Sequence, residues 1–229
     1  MLLHGYPQSA SCWRHQIAAL AECHHVVAPD WPGFGRSEPP WTAPTYDNEV
    51  DRIERFVQRL GWQRFNLCAH DYGGFVGLGY VIRHPERVLR LAMLNTRAHG
   101  IHHIALARYR NIGCFDTALE AEYLGWMNTS QGTRTFWAFF AHYPVAAVPW
   151  LTERLAAIQC PVAVIWGDRD PYIPFDTARE LTDRIPHATL THLRGADHYV
   201  MEERPREVTD ALLGLLSRTA ASHGVCCGA

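Results

Sequence analysis

The chain has 229 residues, of which 48% are hydrophobic and 19% are charged, and its formal net charge is −2. This size and composition are typical of one globular domain with a sizeable core, and they exclude a disordered chain. The nearly neutral charge and the lack of a bilayer-length apolar run give no reason to expect nucleic acid or a membrane as a partner.

Short apolar runs alternate with helical patterns along the chain. The predicted strands are Leu2–His4, His25–Ala28, Phe65–Ala69, Val88–Leu94, Val162–Trp166 and Ala188–Leu193. The predicted helices lie near Trp13–Glu22, Tyr46–Leu60, Tyr72–Arg83, Phe175–Arg184 and Glu203–Leu216. This alternation favours an α/β fold in which a mostly parallel central sheet carries helices on both faces.

The segment between the fourth and fifth predicted strands is too long for a simple crossover connection. We therefore predict a core formed by residues 1–96 and 151–218, with a helical insertion at 97–150 over the strand ends. The insertion is rich in tyrosine, tryptophan and phenylalanine, and most of these rings are expected to pack it onto the core. Residues 219–229 are predicted to form a disordered tail.

The most informative motif is CAHDYGG at residues 68–74, which follows an apolar strand and precedes a helical pattern. It has the layout of a nucleophile elbow, a sharp strand-to-helix turn whose nucleophile is flanked two residues away by small side chains. Ala69 and Gly73 are those small residues, and Asp71 stands at the nucleophile position. Taken alone, the segment leaves open a second interpretation, in which Asp71 caps the following helix.

Four further regions carry a family resemblance. They are HGYP at residues 4–7 with CWRHQ at 12–16, DWPGFGRS at 30–37, WGDRD at 166–170 and GADH at 195–198. With the elbow, they resemble the α/β-hydrolase superfamily, in particular its branch of epoxide hydrolases and haloalkane dehalogenases with an aspartate nucleophile. The resemblance spans nearly the whole chain outside the insertion, and it implies the α/β-hydrolase fold.

Two departures from that family are visible. The chain opens where the family has its third strand, so we expect its N-terminal antiparallel strands to be missing and the true or ancestral start to lie upstream. The insertion is shorter than a full lid domain in these enzymes, so we expect a shortened helical lid. Its leaving-group residues cannot be assigned one by one from the family.

The resemblance implies a catalytic triad, with Asp71 as nucleophile and His198 as the general base that activates water. Asp170 would orient the imidazole, with Asp168 as the competing acid two residues earlier. The alternative for His198 is an ordinary surface histidine. The backbone N–H groups of Tyr6 and Tyr72 would form the oxyanion hole.

An aspartate nucleophile restricts the chemistry. Attack on an ester carbonyl would give an anhydride, which is a poor intermediate. Attack on a saturated carbon gives an alkyl ester, which is stable enough to persist until water hydrolyses it. An epoxide needs a proton donor for its oxygen, and Tyr109, Tyr123 and Tyr143 of the insertion are candidates. A halide needs N–H donors, which the phenols of Tyr6 and Tyr72 do not supply. We therefore predict an epoxide hydrolase, with a haloalkane dehalogenase or a non-catalytic ligand-binding protein of the same fold as alternatives.

No metal or cofactor is expected. The seven cysteines are scattered without a C-x-x-C pair, which indicates neither a disulfide framework nor a zinc site and favours a reducing cytoplasm. Adjacent histidines, as at His24 and His25, point in different directions and are poor partners for one metal ion. The expected partners are a small apolar substrate and water.

Overall fold

The structure is a computed structural model that describes residues 1–97, 117–125 and 148–217, and also residues 129, 130, 132–135 and 138. Most of the predicted insertion and the whole of the predicted tail lie outside this part of the chain. The division into core, insertion and tail therefore stays a prediction.

The described residues form one parallel sheet of five strands. The strands are β1 (Leu2–Leu3), β2 (Phe65–His70), β3 (Val88–Leu94), β4 (Val162–Gly167) and β5 (Ala188–Leu193). They lie side by side in chain order, and each pairs in parallel with the next. Parallel neighbours require crossover connections, so all five strands end at the same edge of the sheet. The predicted α/β architecture is confirmed.

One predicted strand is wrong. Within the described residues, His25–Ala28 has no strand assignment, although the Leu2 N–H donates to the Val27 carbonyl at 2.9 Å. The segment therefore runs beside β1 without building a ladder. Since β1 is itself only two residues long, it offers few backbone groups to a neighbour.

The helices follow the predicted pattern closely. They are α1 (Arg14–Leu20), α2 (Tyr46–Arg59), α3 (Asp71–Arg83), α4 (Thr117–Leu124), α5 (Pro149–Glu153), α6 (Phe175–Arg184), α7 (Val200–Glu203) and α8 (Pro205–Ser217). A 3-10 turn, Ala10–Trp13, precedes α1, and a second one, Leu155–Ala157, follows α5. The predicted last helix is divided at Arg204 because Pro205 starts a new helix, a position that proline favours.

The sheet is covered on both faces. Along β2, Leu67 and Ala69 face α3, since a side-chain carbon built on Gly77 would lie 3.4 Å and 3.5 Å from them. The alternate residues of β2 face the other way, towards the side where α1 packs against α8. This burial on both faces explains why five of the six residues of β2 are buried. Among the described helices, none is long and apolar enough to cross a bilayer.

Candidate active site

The nucleophile elbow predicted from the sequence is present at the end of β2. Asp71 is the first residue of α3 and has a backbone φ of 45°, in the left-handed region that non-glycine residues rarely adopt. The Thr96 hydroxyl donates to the Asp71 carbonyl at 2.6 Å, which stabilises this turn from the neighbouring strand end. The side chain of Asp71 is 12% exposed. Strained residues of this kind cluster at active sites, which favours a functional role for Asp71 over simple helix capping.

The small residues around the elbow are required by close backbone contacts. A side-chain carbon on Gly73 would lie 2.6 Å from the His4 carbonyl oxygen and 2.7 Å from that of Leu3. One on Gly5 would lie 2.5 Å from the Asp71 Cβ. The absence of these side chains brings the loop after β1 into contact with the nucleophile.

We expect Gly73→Ala to destabilise the fold by about 1–3 kcal/mol, because two carbonyl groups must move. Gly214→Ala is the matched control: nothing lies within 4 Å of the added carbon, and Gly214 is inside α8. The control should stabilise the protein by about 0.5–1 kcal/mol through helix propensity. Urea unfolding of both variants measures the difference, and equal free energies of unfolding would contradict this account of the elbow.

The three predicted triad residues lie together at the carboxyl edge of the sheet. His198 Nδ1 is 2.7 Å from Asp170 Oδ2, and His198 Nε2 is 3.8 Å from Asp71 Oδ1. The imidazole is buried, with 3% of its side chain exposed. Burial lowers its pKa, but the Asp170 carboxylate, its hydrogen bond and the Asp71 carboxylate outweigh burial and raise the pKa of His198. The arrangement can place a water molecule between the imidazole and the Asp71 carboxyl group.

Asp170 is held by donors on both oxygens. Its Oδ1 accepts from the backbone N–H groups of Tyr172 at 2.8 Å and Ile173 at 3.0 Å. Its Oδ2, which faces His198, also accepts from Asn95 Nδ2 at 2.8 Å. These donors fix the carboxylate in the plane that the imidazole needs.

Asp168, the alternative acid of the triad, forms hydrogen bonds with other residues. Its Oδ2 lies 2.8 Å from His192 Nε2, and its Oδ1 accepts from the Gly195 N–H at 2.7 Å. The hydrogen bond from His192 is the main cause that lowers the pKa of Asp168. Asp168 therefore stabilises the loop that leads to His198, whereas Asp170 contacts the imidazole.

The predicted oxyanion residues flank the nucleophile. The Tyr6 N–H donates to Asp71 Oδ2 at 3.0 Å, so the two carboxylate oxygens face different partners. Tyr72 lies in the first turn of α3, where backbone N–H groups have no acceptor within the helix. The ring of Tyr72 packs edge-on against Trp31, with ring centres 5.4 Å apart.

Comparison with known proteins agrees with the observed fold. Residues 1–113 match the family model described as alpha/beta hydrolase fold. The chain is 26% identical to a cis-3-alkyl-4-alkyloxetan-2-one decarboxylase of Xanthomonas campestris, over 95% of this chain and 88% of that protein. It is 21% identical to epoxide hydrolase 3 of Xenopus tropicalis, over 97% of this chain and 72% of that protein. An ancestral haloalkane dehalogenase superposes with a TM-score of 0.79 at 22% identity, over 93% of this chain and 88% of that one.

The chain is a hydrolase of the α/β fold. The fold implied by the sequence motifs is thereby confirmed. The named relatives include epoxide hydrolase and haloalkane dehalogenase types but also a decarboxylase, so the specific substrate of this hydrolase and its aspartate nucleophile remain proposals.

His70 is a site residue that the sequence analysis did not single out. It precedes Asp71 in this hydrolase, is fully buried, and places its Nε2 3.0 Å from the His198 carbonyl oxygen. Burial, then the neighbouring His198, lowers the pKa of His70 well below its ordinary value. A neutral imidazole that donates from Nε2 fits this contact. Its place inside the elbow motif is the signal that could have indicated it.

Asn95 is a second such residue. It lies directly after β3 with a φ of 37°, and its Oδ1 accepts from the Gly167 N–H at 3.2 Å while its amide donates to Asp170. Polar residues at the carboxyl end of a parallel strand are candidates for functional sites. Asn95 and Thr96 meet that criterion, because β3 lies between the strands that precede Asp71 and Asp170.

The structure describes one of the three tyrosines that were predicted as proton donors to the leaving group. Tyr109 and Tyr143 lie outside the described residues. Tyr123 is buried on α4, and its hydroxyl donates to Glu202 Oε1 at 3.1 Å. Burial, then the Glu202 carboxylate, raises the pKa of the Tyr123 phenol. Its proton is therefore engaged by a carboxylate, which leaves Tyr109 and Tyr143 as the better candidates.

One cavity of the hydrolase lies apart from the triad. A cavity of about 280 Å³ is lined by residues such as Met1, Phe65 and Leu89, at the edge where the strands begin and not where they end. Among the described residues, no group of three or more histidine, cysteine or acidic side chains could hold a metal ion.

Proposed function

We propose that this hydrolase opens epoxides by forming a covalent ester on Asp71, which a water molecule activated by His198 then hydrolyses. The observation that carries the proposal is that the two carboxylate oxygens of Asp71 have different neighbours. Asp71 Oδ2 accepts from the Tyr6 N–H at 3.0 Å, while Asp71 Oδ1 lies 3.8 Å from His198 Nε2.

In the proposed first step, Asp71 Oδ1 attacks a ring carbon of the epoxide. An ester C–O bond forms, the ring C–O bond breaks, and the ring oxygen takes up a proton from a donor for which Tyr109 and Tyr143 are the candidates. A carboxylate needs no base for this attack, so His198 is free for the second step.

In the proposed second step, His198 takes a proton from water as the water oxygen attacks the ester carbon of Asp71. The former Oδ2 becomes an oxyanion, next to the Tyr6 N–H that already donates to it. Collapse of this intermediate expels the diol as an alkoxide, which takes the proton from the imidazolium. The carboxyl proton left on Asp71 returns to the donor that lost its proton in the first step, and the carboxylate is regenerated. Asp170 stabilises the imidazolium that forms transiently.

A substrate panel tests the proposal directly. We expect the wild-type protein to convert styrene oxide to its diol, and Asp71→Asn to lower the rate at least about 10³-fold, since the nucleophile is lost. Under a single turnover in ¹⁸O-labelled water, the label should enter Asp71 and not the new hydroxyl of the diol. Label in the first diol, or nitrophenyl ester hydrolysis unchanged in Asp71→Ala, would contradict the covalent mechanism.

A second candidate is decarboxylation of a four-membered lactone, which the 26% identity to an oxetanone decarboxylase over 95% of the chain favours. The electrophile is of the same kind, a saturated carbon in a strained ring. Attack by Asp71 would break the ring C–O bond and leave a free carboxylate. Loss of CO₂ would then form a C=C bond and expel Asp71 without water. A cis-3,4-dialkyl oxetan-2-one in the panel separates the two, because it would give an alkene and CO₂ instead of a hydroxy acid.

The remaining alternatives have less support. A haloalkane dehalogenase needs N–H donors for the halide, and the indole N–H of Trp31, which packs beside Tyr72, donates to the His4 carbonyl at 2.9 Å. Bromide release from 1-bromobutane would nevertheless establish that activity. A non-catalytic binding protein would have no use for the triad geometry, and ligand binding without turnover of any panel member would favour it. A small apolar substrate, water and a cytoplasmic location remain part of the proposal.

A further inference from the structure

Glu202 is a buried carboxylate outside the triad that accepts from three side chains. Its side chain has no exposed surface. It accepts from Gln8 Nε2 at 2.9 Å, from the Tyr123 hydroxyl at 3.1 Å, and from Arg14 NH1. Three donors on one buried carboxylate form a network in which each contact is strengthened by the low dielectric.

The three donors come from three different parts of the fold. Gln8 lies two residues after Tyr6, whose N–H contacts the nucleophile. Arg14 begins α1, and Tyr123 belongs to α4. Glu202 itself lies on α7, four residues after His198. A single carboxylate therefore connects the oxyanion loop, defined here as residues 4–8, to the helix after the general base and to α4.

A second contact joins α4 to the same region. Glu122 Oε1 accepts from the Ser11 hydroxyl at 2.7 Å and also from the Ser9 hydroxyl. One carboxylate of α4 and one of α7 thus both bind the segment of residues 9–14 that follows the oxyanion loop. Of the two, only Glu202 also receives a donor from the oxyanion loop itself, which is Gln8.

We propose that Glu202 is a positioning residue, which holds the oxyanion loop through Gln8 and docks α4 over the site through Tyr123. Its catalytic part rests on the proposed function, whereas the docking of α4 does not. Glu202 acts through its neighbours and has no contact of its own with the reacting atoms in this scheme.

The electrostatics of Glu202 support this role. Burial raises its pKa to about 7, against the lowering effects of Arg14, Tyr123 and Gln8. Near neutral pH the group is therefore divided between its ionised and protonated forms, and without these donors it would be mostly protonated. Removing one donor weakens the hydrogen bonds between Glu202 and its other donors. The contact with Gln8 and the contact with Tyr123 are therefore coupled.

Loss of the Gln8 contact and loss of the Tyr123 contact should have different kinetic consequences. Loosening Gln8 displaces the Tyr6 N–H from the oxyanion that forms on Asp71 in the second step, so ester hydrolysis slows. Loosening Tyr123 undocks α4 without touching that N–H, so substrate binding weakens while the chemical steps continue.

Three variants and one control test the inference in the full-length protein, with the panel substrate that the wild type converts. Gln8→Ala should lower kcat at least tenfold and lower KM with it, because slowed hydrolysis makes the Asp71 ester accumulate in the steady state. Tyr123→Phe should raise KM several-fold at unchanged kcat, and Glu202→Gln should change both. Glu207→Gln, on a side chain 58% exposed, is the control and should change neither. Equal kinetics in all four proteins would overturn the inference.

Hydrogen exchange of residues 117–125 tests the docking without any substrate. We expect Glu202→Gln and Tyr123→Phe to lose more protection in α4 than in strands β2–β5, even where the melting temperature falls, and Glu207→Gln to keep protection. Unchanged protection in all variants would overturn the inference even if epoxides are converted. The expected exchange pattern in a protein that converts no panel substrate would uphold the docking and refute the proposed function alone.

Discussion

In His198→Gln protein, we expect the first chemical step to proceed and the substrate to remain attached to Asp71 as an ester. The Asp71 carboxylate attacks without a base, but the ester waits for a water that only the imidazole can deprotonate. Glutamine cannot take that proton, so turnover should fall by about 10³-fold or more. Intact mass should rise by the mass of the epoxide.

The position of the adduct is assigned by fragmenting the labelled peptide, because Cys68 and His70, which an epoxide can also alkylate, lie in the same peptide as Asp71. Cleavage after Arg64 and Arg83 gives a peptide of residues 65–83, in which Asp71 is the sole carboxylate side chain. His192→Gln is the control, because His192 pairs with Asp168 and has 33% of its side chain exposed. It should turn over normally and carry no adduct. An adduct on another peptide, or none with a substrate that the wild type converts, would refute Asp71 as nucleophile.

The active-site core was predictable because its determinants are local. The elbow needs small residues at fixed spacing from Asp71, and the chain provides Ala69 and Gly73 there. His198 and Asp170 follow strands that end at the same edge of a parallel sheet, so identifying the strands was enough to bring the side chains together. The family resemblance favoured Asp170 over Asp168, and the 2.7 Å contact of Asp170 with His198 agrees with that choice.

What could not be predicted depends on contacts between distant residues. Apolar periodicity shows which face of a segment is buried but not which polar groups it meets, so nothing in the sequence pairs Tyr123 with Glu202. The same limit made Tyr123 a candidate proton donor. The apolar pattern of His25–Ala28 likewise predicts a strand, yet strand formation depends on its neighbour, and β1 provides only two residues.

Replacement of Asp170 by Asn should be nearly as damaging as loss of the base, for a reason visible in its donors. Asp170 Oδ1 accepts from two backbone N–H groups, of Tyr172 and Ile173, which cannot turn away. The single oxygen of an asparagine must stay with them, and its NH₂ group must then face His198. To accept from that NH₂, Nδ1 must give up its proton, so the proton moves to Nε2 and the imidazole can no longer act as a base.

We therefore expect Asp170→Asn to lower kcat by about 10³–10⁴-fold, with the Asp71 ester accumulating as in His198→Gln. The pH dependence gives an independent readout. Since Asp170 helps raise the pKa of His198, and the base must be neutral, wild-type activity should fall as the pH drops through that raised pKa. In Asp170→Asn the residual activity should persist to lower pH. Asp168→Asn keeps the Asp170 carboxylate and should retain both the rate, within a few-fold, and the wild-type profile. A larger loss in Asp168→Asn than in Asp170→Asn would mean that the acid of the triad has been assigned to the wrong residue.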